Sequence, residues 1–144
     1  MIYSLQPCAV NDPELEQLWQ TLSAQLQQIT GDDGRSSFSA VDQQQQAYLL
    51  RNEQRAVACC AIRAHAPGVV ELKRMYSSVR GAGGYLLREI EQQCRELGYQ
   101  RIILSTRKVN TRAVGFYQYM GYLPCQPYGK YRETDLFVCL AKTL

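Results

Sequence analysis

Apolar residues recur at the three- and four-residue spacing of an amphipathic helix in three stretches of the chain. In the first stretch, Asn11 or Asp12 can cap a helix whose first turn carries Pro13 and two glutamates. A glycine follows each stretch and can adopt the left-handed conformation that commonly ends a helix. We therefore predict helices at residues 13–31, 85–97 and 110–120, with Gly31, Gly98 and Gly121 as their stops.

Short apolar runs bounded by turn residues predict strands in the rest of the chain. Residues 47–50 and 56–62 flank a polar turn and predict an antiparallel hairpin. The run 69–76, the second helix and the run 101–104 form a strand–helix–strand unit, which requires a parallel pair. The fold class is therefore α+β, with a mixed, mostly antiparallel sheet of about seven strands. The remaining strand candidates are residues 2–6, 122–125 and 136–140.

Length and composition limit the classes of protein that the chain can represent. With 144 residues, 46% of them apolar, residues 1–144 are expected to form a single domain with its own core. The net charge of +3 is small and dispersed, which argues against a nucleic-acid partner. No apolar run approaches the roughly 20 residues that cross a bilayer, and no leader pattern opens the sequence. We expect a cytoplasmic protein with no membrane partner.

Six cysteines are distributed without any CxxC spacing. Three of them lie in apolar runs, where a free cysteine behaves as a small hydrophobic residue. Reduced thiols are therefore expected, and a structural zinc site is the less favoured alternative. We predict no metal.

The segment VRGAGG at residues 79–84 separates a predicted strand from a predicted helix. The first turn of a helix leaves backbone N–H groups unpaired, and glycines let those groups approach an anion closely. A phosphate site is one interpretation. The alternative is a turn that only reverses the chain.

Two blocks, ELKRMYSSVRGAGGYLL and LSTRKVNTRAVGFYQYMGY, give the sequence its most specific pattern. In this order and spacing they resemble the GNAT superfamily of acyl-CoA N-acyltransferases, and the resemblance covers residues 71–122. It implies a sheet whose central parallel strands splay around an acetyl-CoA site, with helices on both faces. Acetyl-CoA is the implied cosubstrate.

The resemblance also implies which residues hold that cosubstrate. Amides of the glycine turn would bind the pyrophosphate, and the end of the preceding strand would pair with the pantetheine arm like an added strand. An asparagine would contact the pantetheine or order the neighbouring loop. These positions are Arg80, Gly81, Ala82, Gly83 and Gly84 for the turn, Met75, Tyr76 and Ser77 for the strand, and Asn110.

Two residues are candidates for proton transfer. Tyr117 matches the family's tyrosine near the thioester sulfur, where a phenol can protonate the departing thiolate; the alternative is a core aromatic residue. Glu71 can act as general base on the amine, and period-two alternation places it on the same side as Lys73 and Met75. The alternative for Glu71 is a surface salt bridge with Lys73 or Arg101.

The function implied by the resemblance is acetyl transfer to a primary amine of a small molecule, amino acid or peptide, by direct attack in a ternary complex. Only Ser78 and Val79 separate Ser77 from Arg80, and this short loop leaves a binding or regulatory module with weakened CoA binding as an alternative. A nucleotide-binding βαβ protein is disfavoured by the hairpin that comes first.

The acceptor and the assembly state are less constrained by the sequence. Lys73 and Arg74 hint at a carboxylated acceptor, although surface charge is the favoured interpretation of both residues. A homodimer remains open beside a monomer.

Overall fold

Seven strands form one mixed sheet in the order β1-β2-β3-β4-β5-β7-β6. The computed structural model describes residues 2–35 and 45–144. Within these residues no helix has the length and apolar character needed to span a membrane. The predicted α+β class is confirmed. The elements are β1 (Tyr3–Cys8), α1 (Pro13–Thr30), β2 (Gln45–Asn52), β3 (Arg55–Ala66), β4 (Val69–Ser77), α2 (Ala82–Glu96), β5 (Arg101–Arg107), α3 (Thr111–Tyr119), β6 (Leu123–Pro124) and β7 (Phe137–Thr143).

Helix α1 begins and ends at the local signals that predict it. The Asp12 side chain accepts hydrogen bonds from the backbone N–H groups of Glu14 and Leu15, and Pro13 occupies the first helical position. At the other end Gly31 has φ of 78° and donates its N–H to the carbonyl of Gln27. Such left-handed geometry is open to glycine at little steric cost, so this helix boundary is determined locally.

Several strands extend beyond their apolar cores. The hairpin of β2 and β3 pairs Asn52 with Arg55, and β5 continues through Ser105 and Thr106 to Arg107, which pairs with Phe137 of β7. Hydrogen bonding to a neighbouring strand keeps these polar residues extended, and the hydrophobic pattern does not mark them. The strand predicted at 101–104 is therefore three residues too short.

Helices cover both faces of the sheet, as expected. Leu86, Leu87 and Ile90 of α2 pack with Cys60 and Ile62 of β3 on one face. We call this the α2 face, and α3 packs against it too. On the opposite face, called the α1 face, Leu15 and Trp19 pack against the alternate β3 residues. Alternation along β3 thus divides the interior into two hydrophobic clusters.

All six cysteines are free thiols. Cys59, Cys60, Cys94 and Cys139 are buried, and burial raises the pKa of Cys59 to about 12. Residues 2–35 and 45–144 contain no group of three or more metal-ligating side chains. The four buried cysteines serve as small core residues.

Strands β4 and β5 form the only parallel pair of the described sheet, and their ladder is short. It joins Val69 to Arg101, Val70 to Ile102 and Glu71 to Ile103, and no pairing follows. Because both strands continue well beyond this ladder, they separate towards their C-terminal ends. The separation opens the centre of the sheet.

Candidate active site

A cavity of about 160 Å³ lies where β4 and β5 separate. We call it the cleft. Its walls come from both strands and from elements on both faces of the sheet, so the cleft passes through the sheet. The α1 face contributes Leu22 and Leu26, the α2 face contributes Ala113 and Tyr117, and Tyr131 and Phe137 complete the wall.

A β-bulge in β4 shapes one wall of the cleft. Cys59 of β3 pairs with Tyr76 and Ala61 pairs with Lys73, so β4 carries one extra residue between these pairs. Arg74, with φ of 53°, lies in this bulge. The side-chain alternation changes phase there, and Met75 packs on the α2 face. The prediction that Met75 shares a side with Glu71 and Lys73 is therefore wrong.

Arg74 is held by contacts to α1. Its carbonyl accepts a hydrogen bond of 2.9 Å from Trp19 Nε1, and its guanidinium donates to the carbonyl of Trp19 and to Ser23 Oγ at 2.8 Å. Burial lowers the pKa of Arg74. Interpreting this residue as surface charge is therefore wrong: it joins the bulge to α1 beside the cleft.

Glu71 is buried on the α1 face and lines the cleft. Its Oε2 accepts a hydrogen bond of 2.7 Å from the Tyr128 hydroxyl, and Lys73 Nζ lies 3.7 Å from Oε1. The salt bridge with Lys73, which was the alternative interpretation of Glu71, thus exists, but the Lys73 side chain is only 9% exposed, so neither partner is a surface group. Burial lowers the pKa of Lys73, because the charged ammonium group is less stable away from water.

Tyr128 belongs to the site although no sequence motif marks it. Burial, and then the neighbouring Glu71 carboxylate, raise its pKa, so it stays a hydrogen-bond donor. The His65 ring packs edge-on against the Tyr128 ring, with centroids 5.1 Å apart. The tyrosine-rich loop between β6 and β7 was the available signal, but only the tertiary structure brings this tyrosine to Glu71.

Tyr117 lies on α3 and reaches the cleft from the α2 face. Its ring packs against Phe116 and Tyr122, with centroids 5.2 and 5.9 Å away. Burial raises its pKa, so the phenol keeps its proton at neutral pH. Within the described parts of the chain its hydroxyl makes no hydrogen bond.

Asn110 caps α3 and also lines the cleft. Its Oδ1 accepts a hydrogen bond of 3.3 Å from the Ala113 N–H, so the helix begins at Thr111. The Asn110 N–H donates to the carbonyl of Arg107, which ties the end of β5 to the start of α3. This cap orients the first turn of the helix that carries Tyr117.

Helix α2 begins at Ala82, three residues before the predicted start at Tyr85. Gly81 is its N-cap with φ of 88°, and the Tyr85 N–H donates to the Gly81 carbonyl. Gly83 and Gly84 are therefore first-turn residues, whose N–H groups have no partner within the helix. The prediction of Ala82, Gly83 and Gly84 as loop residues is wrong, but these residues form a helix start, and an anion site depends on the amides of a helix start.

Residues 78–81 form the whole connection between β4 and α2. The Ser78 N–H and hydroxyl both donate to the Val57 carbonyl of β3, and Ser77 Oγ donates to the Val79 carbonyl. These bonds close the turn tightly.

The glycine turn adjoins the cleft. A Cβ on Gly83 would lie 3.5 Å from Ser77 Cβ and 3.6 Å from Met75 Cε, and Met75 lines the cleft. A Cβ on Gly81 would meet no heavy atom within 4 Å, so the space before the helix start is open. Of the predicted cosubstrate residues, Met75 and Asn110 line the cleft, whereas the others lie outside its lining: Tyr76, Ser77, Arg80, Gly81, Ala82, Gly83 and Gly84.

Among the predicted site residues, the cleft brings together Glu71, Met75, Asn110 and Tyr117. Residues 10–122 match the sequence model of a protein family that is described as the Acetyltransferase (GNAT) family. The chain belongs to the GNAT acetyltransferase family. The matched residues include the glycine turn and both strands that border the cleft.

Solved GNAT structures share this fold over nearly the whole chain. A protein from Klebsiella pneumoniae, provisionally described as an acyl-CoA N-acyltransferase, has 27% identity and a TM-score of 0.83, covering 99% of this chain and 98% of the other. An Elizabethkingia anophelis GNAT acetyltransferase with acetyl-CoA bound has 14% identity and a TM-score of 0.72, with coverage of 99% and 98%.

A third structure, the PaiA N-acetyltransferase from Thermoplasma acidophilum in complex with coenzyme A, has 14% identity and a TM-score of 0.74, and both chains are covered completely. No protein with a curated description matches this GNAT chain. The two relatives of low identity support the fold and not a shared substrate.

Proposed function

We propose that this protein transfers the acetyl group of acetyl-CoA to a primary amine of a small molecule, amino acid or peptide, by direct attack in a ternary complex. The observation that carries the proposal is the cleft through the sheet, which Tyr117 lines from the α2 face and Glu71 from the α1 face. A donor and an acceptor that enter from opposite faces can meet between a proton donor and a carboxylate.

The glycine turn beside the cleft offers groups that suit the pyrophosphate of coenzyme A. The first-turn amides of Gly83 and Gly84 and the partial positive charge of the helix N-terminus favour a pyrophosphate, and the space in front of Gly81 is open. Arg80 lies in the connection just before the helix, and Ala82 is its first residue. Although this connection is short, the first turn of the helix supplies the N–H groups that a pyrophosphate would bind.

The end of β4 fits the pantetheine arm. Tyr76 and Ser77 pair with β3 on one edge, whereas β5 pairs with β4 only as far as Glu71. Backbone groups on the β5-facing edge of residues 75–77 are therefore available to an extended ligand that adds to the strand. Asn110 borders the same space from the start of α3.

The chemistry assigned to the cleft needs two proton transfers. The amine attacks the thioester carbonyl carbon, a C–N bond forms, and Glu71 accepts a proton from the amine directly or through water. The C–S bond then breaks, and the Tyr117 hydroxyl donates its proton to the departing thiolate. The products are the acetamide and CoA with a free thiol. Solvent then returns a proton to Tyr117 and takes up the proton that Glu71 accepted.

Two measurements test this function. Acetyl-CoA at about 100 times its Kd should stabilise the protein by about 2.7 kcal/mol, because it binds the native state only. Free-thiol release with a panel of primary amines should then exceed the rate without amine. Stabilisation without amine-dependent thiol release would support the binding or regulatory module instead, and the absence of both would contradict the proposal.

The change of Gly84 to Ala should raise thermal stability and weaken acetyl-CoA binding about tenfold. Alanine is favoured over glycine in a helix by roughly 0.5–1 kcal/mol, and Met120 Sδ would lie 3.9 Å from the new Cβ, an ordinary contact. The methyl group points back towards the helix N-terminus, where we propose that the pyrophosphate binds. Calorimetric Tm and Kd values measure both effects.

Gly115→Ala is the matched control for this prediction. Gly115 lies in α3, and a Cβ there would meet no heavy atom within 4 Å. This variant should raise the Tm and leave the Kd for acetyl-CoA unchanged. Equal Kd values in the parent and the Gly84→Ala variant would argue against the pyrophosphate site.

A further inference from the structure

The two faces of the cleft carry different chemistry. Along β5, Ile102 and Leu104 belong to the hydrophobic cluster of the α2 face. By alternation Ser105 and Arg107 point to the α1 face, where Glu71 and Lys73 of β4 also lie. The glycine turn and Tyr117 are on the α2 side. The α1 side is thus the side left for the acceptor.

Arg107 is held on this acceptor side by an aromatic ring. Its guanidinium carbon lies 5.5 Å from the centroid of the Phe137 ring, which in turn packs 4.8 Å from the Tyr131 ring. Stacking fixes the plane of the guanidinium but uses none of its N–H donors.

The guanidinium N–H donors of Arg107 find few partners among the residues that the structure describes. In residues 2–35 and 45–144 its buried Nε makes no hydrogen bond, and it forms no ion pair with a carboxylate there. A guanidinium presents a fork of donors that matches a carboxylate in two parallel hydrogen bonds. An ordered cation on the cleft wall with unused donors is suited to an anionic group of a ligand.

The other charged side chains around the cleft also favour an anionic group in the ligand. Lys73 and Arg74 line the cleft beside Arg107, and the positive charges of Lys130 and Arg63 lie near Lys73. On the cleft wall Glu71 and Asp32 are the acidic side chains among the described residues. Three cations against two carboxylates leave the wall positive.

We propose that the acceptor is a small primary amine that also carries a carboxylate, with the carboxylate bound by the Arg107 guanidinium and the amine directed towards Glu71. This inference rests on the proposed function and names its substrate class. Leu22 and Leu26 line the same side, so an apolar substituent on the acceptor is accommodated.

Kinetic measurements on a matched acceptor series test this proposal. Leucine, leucinamide and isopentylamine share an apolar body and differ at the carboxylate, and β-alanine and γ-aminobutyrate vary the spacing between amine and acid. At least one carboxylated acceptor should exceed its uncharged counterpart about 30-fold in kcat/KM, because a charge-assisted hydrogen-bonded pair contributes roughly 2 kcal/mol. Arg107→Gln should reduce this preference to less than about threefold, with acetyl-CoA Kd unchanged.

Lys108→Gln is the matched control, since Lys108 is exposed, follows Arg107 in the chain and carries the same charge. It should retain the preference of the parent. A parent that acetylates the uncharged amines equally well would overturn the inference and leave the proposed function standing. A loss of acetyl-CoA affinity in Arg107→Gln would also overturn it, because Arg107 would then bind the cosubstrate.

A binding measurement keeps the inference testable without turnover. In the presence of CoA, N-acetyl-leucine should raise the Tm of the parent more than N-acetyl-leucinamide does, and Arg107→Gln should remove the difference. If no amine is acetylated but this difference is found, the carboxylate site stands and the proposed function fails. Equal shifts by acid and amide in the parent would refute the carboxylate site.

Discussion

Replacing Tyr117 with Phe is expected to lower kcat about 100-fold, the scale of a general acid contribution, while the Kd for acetyl-CoA stays nearly constant. The variant removes one oxygen and keeps the ring contacts with Phe116 and Tyr122. In the described structure no hydrogen bond is lost with that oxygen. Steady-state kinetics with the best amine, together with calorimetric titration of acetyl-CoA, measure the two quantities.

Tyr119→Phe provides the control for Tyr117→Phe. It makes the same chemical change in the same helix, but Tyr119 is 84% exposed, so kcat should remain at the value of the parent. Equal kcat values in Tyr117→Phe and the parent would remove Tyr117 from the chemical step. A large increase in the Kd for acetyl-CoA would instead assign Tyr117 to cosubstrate binding.

Glu71→Gln is expected to lower kcat by a similar factor of about 100, because an amide cannot accept the proton of the attacking amine. The amide oxygen can still accept the hydrogen bond from the Tyr128 hydroxyl, so the buried site should keep its packing. Thermal unfolding should therefore show a much smaller change than kcat does. Both quantities are measured on the same preparation.

Methoxyamine distinguishes a general base from a residue that only maintains the packing of the site. It is so weakly basic that it is neutral at pH 7, so the loss of kcat in Glu71→Gln should be smaller with methoxyamine than with a basic alkylamine. Glu133→Gln is the matched control, since Glu133 is exposed on the 3-10 helix before β7 and should retain full activity with both nucleophiles. The same loss with both amines would contradict the role of general base.

The most accurate sequence predictions concern features with local causes. The Asp12 cap and the left-handed Gly31 define α1 through atoms a few residues away. The fold class and the placement of helices on both faces also followed from the hydrophobic periodicity, the order of the predicted elements and the family resemblance. Predicted strand ends were less accurate, since β5 reaches Arg107 only through pairing with β7.

The site residues divide in the same way. Tyr117, Glu71, Met75 and Asn110 were named from their motif, and the cleft brings all four together. Tyr128 and Arg107 were not named. The role of Tyr128 depends on Glu71, 57 residues away in the chain, and that of Arg107 depends on Phe137 of the neighbouring strand β7. A hydrophobic pattern or a motif in the sequence does not show which residues that are distant along the chain come into contact in the fold.

By itself, the sequence determined the order of helices and strands, the glycine turn and the family to which the chain belongs, because these depend on periodicity and local backbone chemistry. Only the tertiary structure decided what faces the cleft. The bulge at Arg74 changes the phase of β4 and sends Met75 to the α2 face, and the separation of β4 from β5 exposes Arg107. Both follow from pairing between distant strands, so the faces of the site are set by register and not by composition.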